Sequence, residues 1–346
     1  MADAFNALLK HVIDGNDLTR EQTHDLFGRL MDGQLGEPQI AGLLVALAAK
    51  GESVDEITGA AMAMRDHMVR IDTGGADVVD TCGTGGTGLR TFNISTAAAL
   101  VCAGAGAKVA KHGNRTTTRA SGSADVLAAL GVNLDAAPEA VARCLAEANV
   151  CFCFAVRCHP AMKYAAGVRK ALAVRTIFNV LGPLTNPAGA KRQVMGVFDA
   201  ELTETIAHVH ASLGSQRAMI LHAEDGLDEV SITSPTKISE LKDGKVVTRV
   251  VQPEDFGLRR AAIDDLLVES PEESAAIIGG ILAGKGDTGA GDQAAARNIV
   301  LLNAAAALTV ADKADTIAAA IPLAAGAIDS GAAQAALDKL VEISNS

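Results

Sequence analysis

The pattern of apolar residues changes character once along the chain, and that change restricts the fold more than any other feature. Residues 1–72 carry helix signals only. Thr19 with Gln22 and Ser53 with Glu56 have capping-box spacing, in which side chains at the first turn satisfy each other's backbone N–H groups. The run from Ile40 to Ala49 is apolar almost throughout and predicts a helix buried on most sides. Asp72–Ala76 is a turn-rich break. Beyond it, short strands alternate with helices: a strand over 78–80, a helix over 97–103 capped by Ser95 or Thr96, a strand over 108–111, a helix over 124–130 closed by Gly131, and a strand over 218–222. This is α/β logic, which places ligand loops at the carboxyl ends of strands. Farther on, Asn298–Val310 and Ala311–Ile321 read as alanine-rich helices, and Gly279–Gly291 as a mobile glycine-rich connection.

Composition narrows the function. The chain has 346 residues, enough for one large domain and a small one, and no apolar run reaches the ~20 residues a spanning helix needs. Met1–Lys10 lacks the basic and apolar regions of a secretory signal. A net charge of -11 opposes nonspecific binding to nucleic acid. Six cysteines lack the paired knuckle spacing of zinc sites: Cys151 and Cys153, alternating with phenylalanine, read as a buried strand and not as a cluster with Cys158 and His159. Reduced thiols fit a cytoplasmic protein without a membrane partner.

Against the overall acidity, Lys108, Lys111, His112, Arg115 and Arg119 concentrate positive charge beside glycine-rich loops. The loop Asp80–Gly88 has four glycines at 83, 85, 86 and 88, which let backbone N–H groups face an anion. It lacks the lysine of a P-loop and the spacing of a dinucleotide fingerprint, and alone it is compatible with a plain turn. Thr91, Asn93, Ser95 and Thr96 crowd a helix start that needs only one cap, which favours a phosphate there. From Lys111 to Asp125, amines, guanidinium groups, hydroxyls and glycines alternate, the donor types that phosphate oxygens prefer. Asp228 and Glu229, after a loop glycine, are either a surface acid pair or oxygen ligands for Mg²⁺, and a polyphosphate substrate would require such a cation.

Together these segments resemble the anthranilate phosphoribosyltransferases. The likeness runs from Gly83 to Asp125, through His159–Met162, Val168–Lys170, Arg175–Asn179, Gly182–Pro187 and Asp225–Glu229, and covers nearly the whole chain. It implies an α/β fold of the class IV phosphoribosyltransferase type, shared with nucleoside phosphorylases. A small helical domain (1–72, with helices returned from about 163–185) would join a larger α/β domain (73–346), the protein being a homodimer.

The resemblance also implies the ligands: phosphoribosyl pyrophosphate (PRPP), anthranilate and Mg²⁺. Gly83, Gly86, Thr87, Thr91, Asn93, Ile94, Ser95, Thr96, Lys111, His112, Gly113, Asn114, Arg115, Thr116, Thr117, Thr118, Arg119 and Ser123 would line the PRPP site. Ser95, Asp228 and Glu229 would hold Mg²⁺. Gly83, Asn114, His112, His159, Arg169 and Pro183 would contact anthranilate, with Lys111, Asn114 and Arg169 in catalytic roles. The sequence departs from the family in three places: Thr87 stands where the loop usually carries aspartate (GTGGDG), Arg90 adds positive charge nearby, and Thr116–Thr118 with Ala120 replace part of a serine/lysine-rich run. The rivals are a pyrimidine nucleoside phosphorylase of the same fold, opposed by the intact Lys111–Arg115 loop with Asp228–Glu229, and a silent nucleic-acid-binding relative, opposed by the acidity.

Overall fold

A computed structural model describes residues 2–115, 121–284 and 292–346. Four helices open the chain: α1 (Ala2–Ile13), α2 (Arg20–Met31), α3 (Glu37–Lys50) and α4 (Val54–Asp66). Both capping boxes form. Thr19 Oγ1 accepts from Gln22 N at 3.2 Å while Gln22 Oε1 accepts from Thr19 N at 2.9 Å. Ser53 Oγ accepts from Glu56 N at 3.3 Å, and Glu56 returns a bond to Ser53 N at 2.8 Å. The Glu56 carboxylate is fully buried and satisfied further by Leu18 N and the Lys50 ammonium, which ties the α2 and α4 starts together. Helix α3 is less buried than its composition suggests: Ile40, Leu43, Leu44 and Leu47 form one buried face, while Val45 is 44% exposed. Alanine fills the other face, and alanine is indifferent to exposure where leucine is not.

After the Asp72–Ala76 turn come β1 (Val79–Asp80), α5 (Ile94–Gly104), β2 (Val109–Gly113), α6 (Ser123–Ala129), α7 (Pro138–Ala148) and β3 (Val150–Phe154). Then follow α8 (Ala155–Cys158), α9 (Lys163–Leu172), α10 (Phe178–Leu181), β4 (Arg192–Gly196), α11 (Leu202–Ser212) and β5 (Arg217–Ala223). The antiparallel pair β6 (Thr236–Lys242) and β7 (Lys245–Val251) precedes α12 (Pro271–Leu282), α13 (Asp292–Val310), α14 (Ile317–Asp329) and α15 (Ala332–Ser344).

The sheet order is β3-β2-β1-β4-β5-β6-β7, parallel through β5. The chain winds outward from β1 through β2 to β3, then returns to β4 on the other side. The carboxyl ends of β1 and β4 therefore flank a topological switch point, where open α/β sheets bind ligands. Along β5, Met219, Leu221 and Ala223 join the core under α5 and α13, while Ala218 and Ile220 face the core shared with α4, α9 and α11. That period-2 division sets the helices of the two ends of the chain on opposite sheet faces.

Three expectations are corrected. The cap of α5 is Asn93, so Ser95 and Thr96 lie inside its first turn; the Asn93 side chain makes no capping bond, because its Oδ1 accepts from Ser121 Oγ (2.6 Å) and Ser274 Oγ (2.8 Å). The helix expected over Ala311–Ile321 is interrupted: Asp312 sits at φ 54°, and Thr316 caps α14, which continues past Pro322 to Asp329. Of the glycine-rich connection, Gly279 and Gly280 belong to α12, and residues 285–291 lie outside the described residues.

Candidate active site

The site is built over a polar knot under the switch point. Asp80, at the end of β1, is fully buried. Its Oδ1 accepts from His112 N at 3.1 Å and its Oδ2 from Asn186 Nδ2 at 2.7 Å. Burial pushes its carboxyl up to about 6, against the opposing pull of the Asn186 bond and the Lys111 charge. Asn186 also donates to Ala110 O (2.8 Å), and Gln193 Nε2 donates to Pro183 O (2.9 Å) and Cys82 O (3.2 Å). The glycine loop, the end of β2 and the Pro183 turn are thereby fixed to one another. Asp80, Cys82 and His112 have metal-ligand atoms within 4.8 Å of each other. The chemistry opposes a cation there: the Asp80 oxygens are already engaged, burial pushes the Cys82 thiol up, and the Lys111 charge reaches both.

Above the knot, Lys111 is buried, with Nζ 3.3 Å from both Thr81 Oγ1 and Ser95 Oγ. Thr81, Ser95, Gly196, Asp228, Glu229 and Asn303 line one small cavity. Gly85 N donates to Asp228 Oδ2 at 3.1 Å, and Thr84 N to Gly196 O at 2.8 Å, so the glycine loop folds onto β4 and the acid pair. Gly196 is indispensable to this approach, because a Cβ there would run into the Asp228 carbonyl. At the end of β2, a Cβ on Gly113 would meet Ser123 Oγ, so that hydroxyl would have to turn away. The acid loop is shaped by Asp225, which accepts from Leu227 N at 3.0 Å, from Ser231 Oγ at 2.7 Å and from Thr233 Oγ1.

Ser95, Asp228 and Glu229 thus come together as an all-oxygen donor set, which fits Mg²⁺. Asn114 and Arg115 are exposed at the loop beyond β2, Arg115 pairing with Asp125 at 3.0 Å. Thr116, Thr117, Thr118 and Arg119 lie outside the described residues. Ile94 and Thr96 are buried in the α5 core, and Thr91 is buried in a bridge to Leu267. Asn93 braces Ser121 and Ser274 as described above. Arg90 differs from expectation in its electrostatics: it forms an exposed pair with Glu269 at 2.8 Å, which offsets part of its charge.

At the other lip, His112 and His159 meet Nε2 to Nε2 at 3.2 Å. Burial pushes His112 down to about 3, with His159 adding to the shift, and burial holds His159 at about 4. Both are neutral near pH 7, one ring donating to the other. Arg169 on α9 lies 5.1 Å over the Phe178 ring, and burial lowers its pKa from the ordinary guanidinium value. Among the described residues no carboxylate pairs with it. Arg175 stacks 4.2 Å over Phe198 and donates to Gly86 O at 2.8 Å. Asp80, Gln193, Gly196, Arg175 and Asn303 were not singled out by the sequence reading. The available signals were an aspartate at the end of an apolar strand and an asparagine inside an apolar helix.

Residues 6–68 match the description "Glycosyl transferase family, helical bundle domain", and residues 75–334 match "Glycosyl transferase family, a/b domain". The anthranilate phosphoribosyltransferase of Thioalkalivibrio sulfidiphilus is 50% identical over 346 residues, covering 100% of this chain and 99% of the relative. That of Symbiobacterium thermophilum is 48% identical over 341 residues, covering 99% and 98%. The solved anthranilate phosphoribosyltransferase of Thermus thermophilus superposes with a TM-score of 0.91 at 39% identity, covering 98% of this chain and 99% of that one. The Saccharomyces cerevisiae enzyme in complex with PRPP and Mg superposes at 0.90 with 26% identity, covering 100% and 99%.

Proposed function

The chain belongs to the family of anthranilate phosphoribosyltransferases, and from that premise we propose how its own residues perform the reaction. The enzyme is a glycosyltransferase that moves the 5-phosphoribosyl group of PRPP onto the anthranilate amine, giving N-(5-phosphoribosyl)anthranilate and pyrophosphate, a step of tryptophan biosynthesis. Half identity over the full length to relatives with this activity displaces the nucleoside phosphorylase rival.

In our reading, backbone N–H groups of Gly83–Gly88 and the Lys111 ammonium face the diphosphate, with Ser95, Asp228 and Glu229 holding Mg²⁺. The bound Mg²⁺ would screen the negative charge that grows on departing pyrophosphate. Asn114, Arg115, Thr116, Thr117, Thr118, Arg119 and Ser123 would complete the phosphoribosyl contacts. Arg169 pairs with the anthranilate carboxylate, and Asn114 and Gly83 orient its ring against a wall of His112, His159 and Pro183. The aniline-type amine is neutral near pH 7 and attacks C1′ as pyrophosphate departs, and the acidified N–H proton then passes to water or to the released pyrophosphate. No strong base is required, and the neutral imidazole pair adds no charge to repel the cationic ribose. The observation that carries this reading is the convergence of Lys111, Ser95, Asp228 and the glycine loop on one cleft at the switch point.

The test is PRPP-dependent loss of anthranilate fluorescence, with and without Mg²⁺. Product formation only with Mg²⁺ is expected, and equal rates after chelation would remove the metal from the scheme. The boundaries 1–72 and 73–346, with 163–185 returned to the helical part, are proposed as the domain division. We place the enzyme in the cytoplasm as a homodimer through the helical domain. Among the described residues no helix is long and apolar enough to cross a membrane.

A further inference from the structure

Helix α13 is apolar from Ile299 to Val310 except for Asn303 and Thr309. Asn303 is only 3% exposed, and a buried carboxamide is costly unless its donors and acceptor are all met. They are met by one residue of another loop. Oδ1 accepts from Val230 N at 2.8 Å and Nδ2 donates to Val230 O at 2.9 Å; the second Nδ2 proton goes to Ile299 O at 2.9 Å, one turn back in the same helix. The carboxamide pairs with Val230 as a neighbouring strand would, gripping both polar groups of one residue. Val230 directly follows Asp228 and Glu229, and Asn303 lines the same cavity as that pair. Across the cavity, Gly196 lies against the Asp228 carbonyl too closely to admit a Cβ. The acid pair is therefore confined between a glycine of β4 and a carboxamide of α13.

We propose that Asn303 is a positioning residue for the Asp228–Glu229 carboxylates, setting where they are presented to Mg²⁺ and hence the Mg²⁺ concentration the enzyme needs. The proposal rests on the reading of that pair as metal-holding. A carboxamide supplies an acceptor and a donor on separate atoms, spaced to meet both Val230 N and Val230 O. Aspartate has the same shape but sets a carboxylate against the Val230 carbonyl. Serine is too short to reach both groups. A residue that served packing alone would leave the metal requirement where it is once the chain is folded.

The experiment compares wild type, Asn303→Asp, Asn303→Ser and the double variant Asp228→Asn/Glu229→Gln, each checked for folding by circular dichroism. Three readouts are taken: amide exchange at Val230, Mn²⁺ binding by electron paramagnetic resonance with PRPP present, and the Mg²⁺ dependence of turnover. For the Asn303 variants we expect faster exchange at Val230, Mn²⁺ affinity weaker by about tenfold, and a matching rise in the Mg²⁺ needed for half-maximal rate. The KM for anthranilate should stay constant, and rate should recover at high Mg²⁺. Loosened exchange with unchanged Mn²⁺ and Mg²⁺ dependence in either folded variant overturns the proposal, provided the double variant does shift the metal dependence. If the double variant leaves metal binding untouched, the metal reading itself fails and the proposal with it.

Discussion

Lowering the pH from about 7 to about 5.5 perturbs this fold through three buried histidines. Burial holds His112 at about 3, His159 at about 4 and His210 at about 3, where an unfolded chain titrates near 6.5. Below about 6.5 the unfolded chain takes up protons that the fold refuses, so stability falls as pH falls. Each histidine contributes a little over ~1 kcal/mol over that interval, about 4 kcal/mol in all. Asp80 acts in the opposite sense. Its carboxyl is raised to about 6, so the fold binds its proton before the unfolded chain does, and stability rises by about 1 kcal/mol. The net loss is about 3 kcal/mol, which for a chain of this length lowers Tm by about 4 °C. The assay is thermal or guanidinium unfolding at stepped pH, followed by circular dichroism. His210 makes the attribution testable, since it lies on α11 and is not among the proposed site residues, with Nδ1 2.9 Å from Ser215 Oγ. His210→Gln should remove about a third of the histidine contribution without changing the activity profile. A Tm that is flat or rising toward pH 5.5, or a variant with the wild-type slope, would refute the argument.

Three further outcomes follow from the site. Arg169→Ala should raise KM for anthranilate by one to two decades, the loss of about 1.5–3 kcal/mol of charge-assisted pairing, while KM for PRPP moves little; equal effects on both would reassign Arg169 to folding. Gly196→Ala forces the added Cβ against the Asp228 backbone, so we expect a loss of about 1–3 kcal/mol in unfolding and a higher Mg²⁺ requirement, measured by melting and by metal titration. Thr87 lacks the charge of the family's usual aspartate, so the loop should be slow to collect a second, inhibitory Mg²⁺, although Glu269 offsets part of the Arg90 charge that pushes the same way. Wild type should then stay active at high Mg²⁺ while Thr87→Asp declines; superimposable curves would sink the idea.

What the sequence made legible is what local chemistry decides. The capping boxes at Thr19 and Ser53 need only a hydroxyl and its partner three residues on, and both form as read. The glycine loop and the Lys111–Arg115 segment marked themselves as a candidate anion site through residue type alone. Where several local answers compete, tertiary contacts choose between them. Asn93, Ser95 and Thr96 could each have opened α5, and nothing nearby in sequence selects among them. The choice falls to Ser274, 181 residues away, whose Oγ accepts from Asn93 N, and to Ser121, held against the Asn93 carboxamide. The same distance hides the supports of the site. Asn186 reaches Asp80 across 106 positions and Asn303 reaches Val230 across 73, so each polar residue reads as an isolated blemish in an apolar run. That blemish is nonetheless information. A carboxylate at the end of an apolar strand or a carboxamide inside an apolar helix incurs a desolvation cost unless a partner lies within reach. Its presence therefore predicts a partner without saying which. Asp80 and Asn303 both meet this criterion in the sequence, and in the fold each grips the backbone of a segment that carries proposed ligands: Asp80 at His112 on β2 and Asn303 at Val230 in the acid loop.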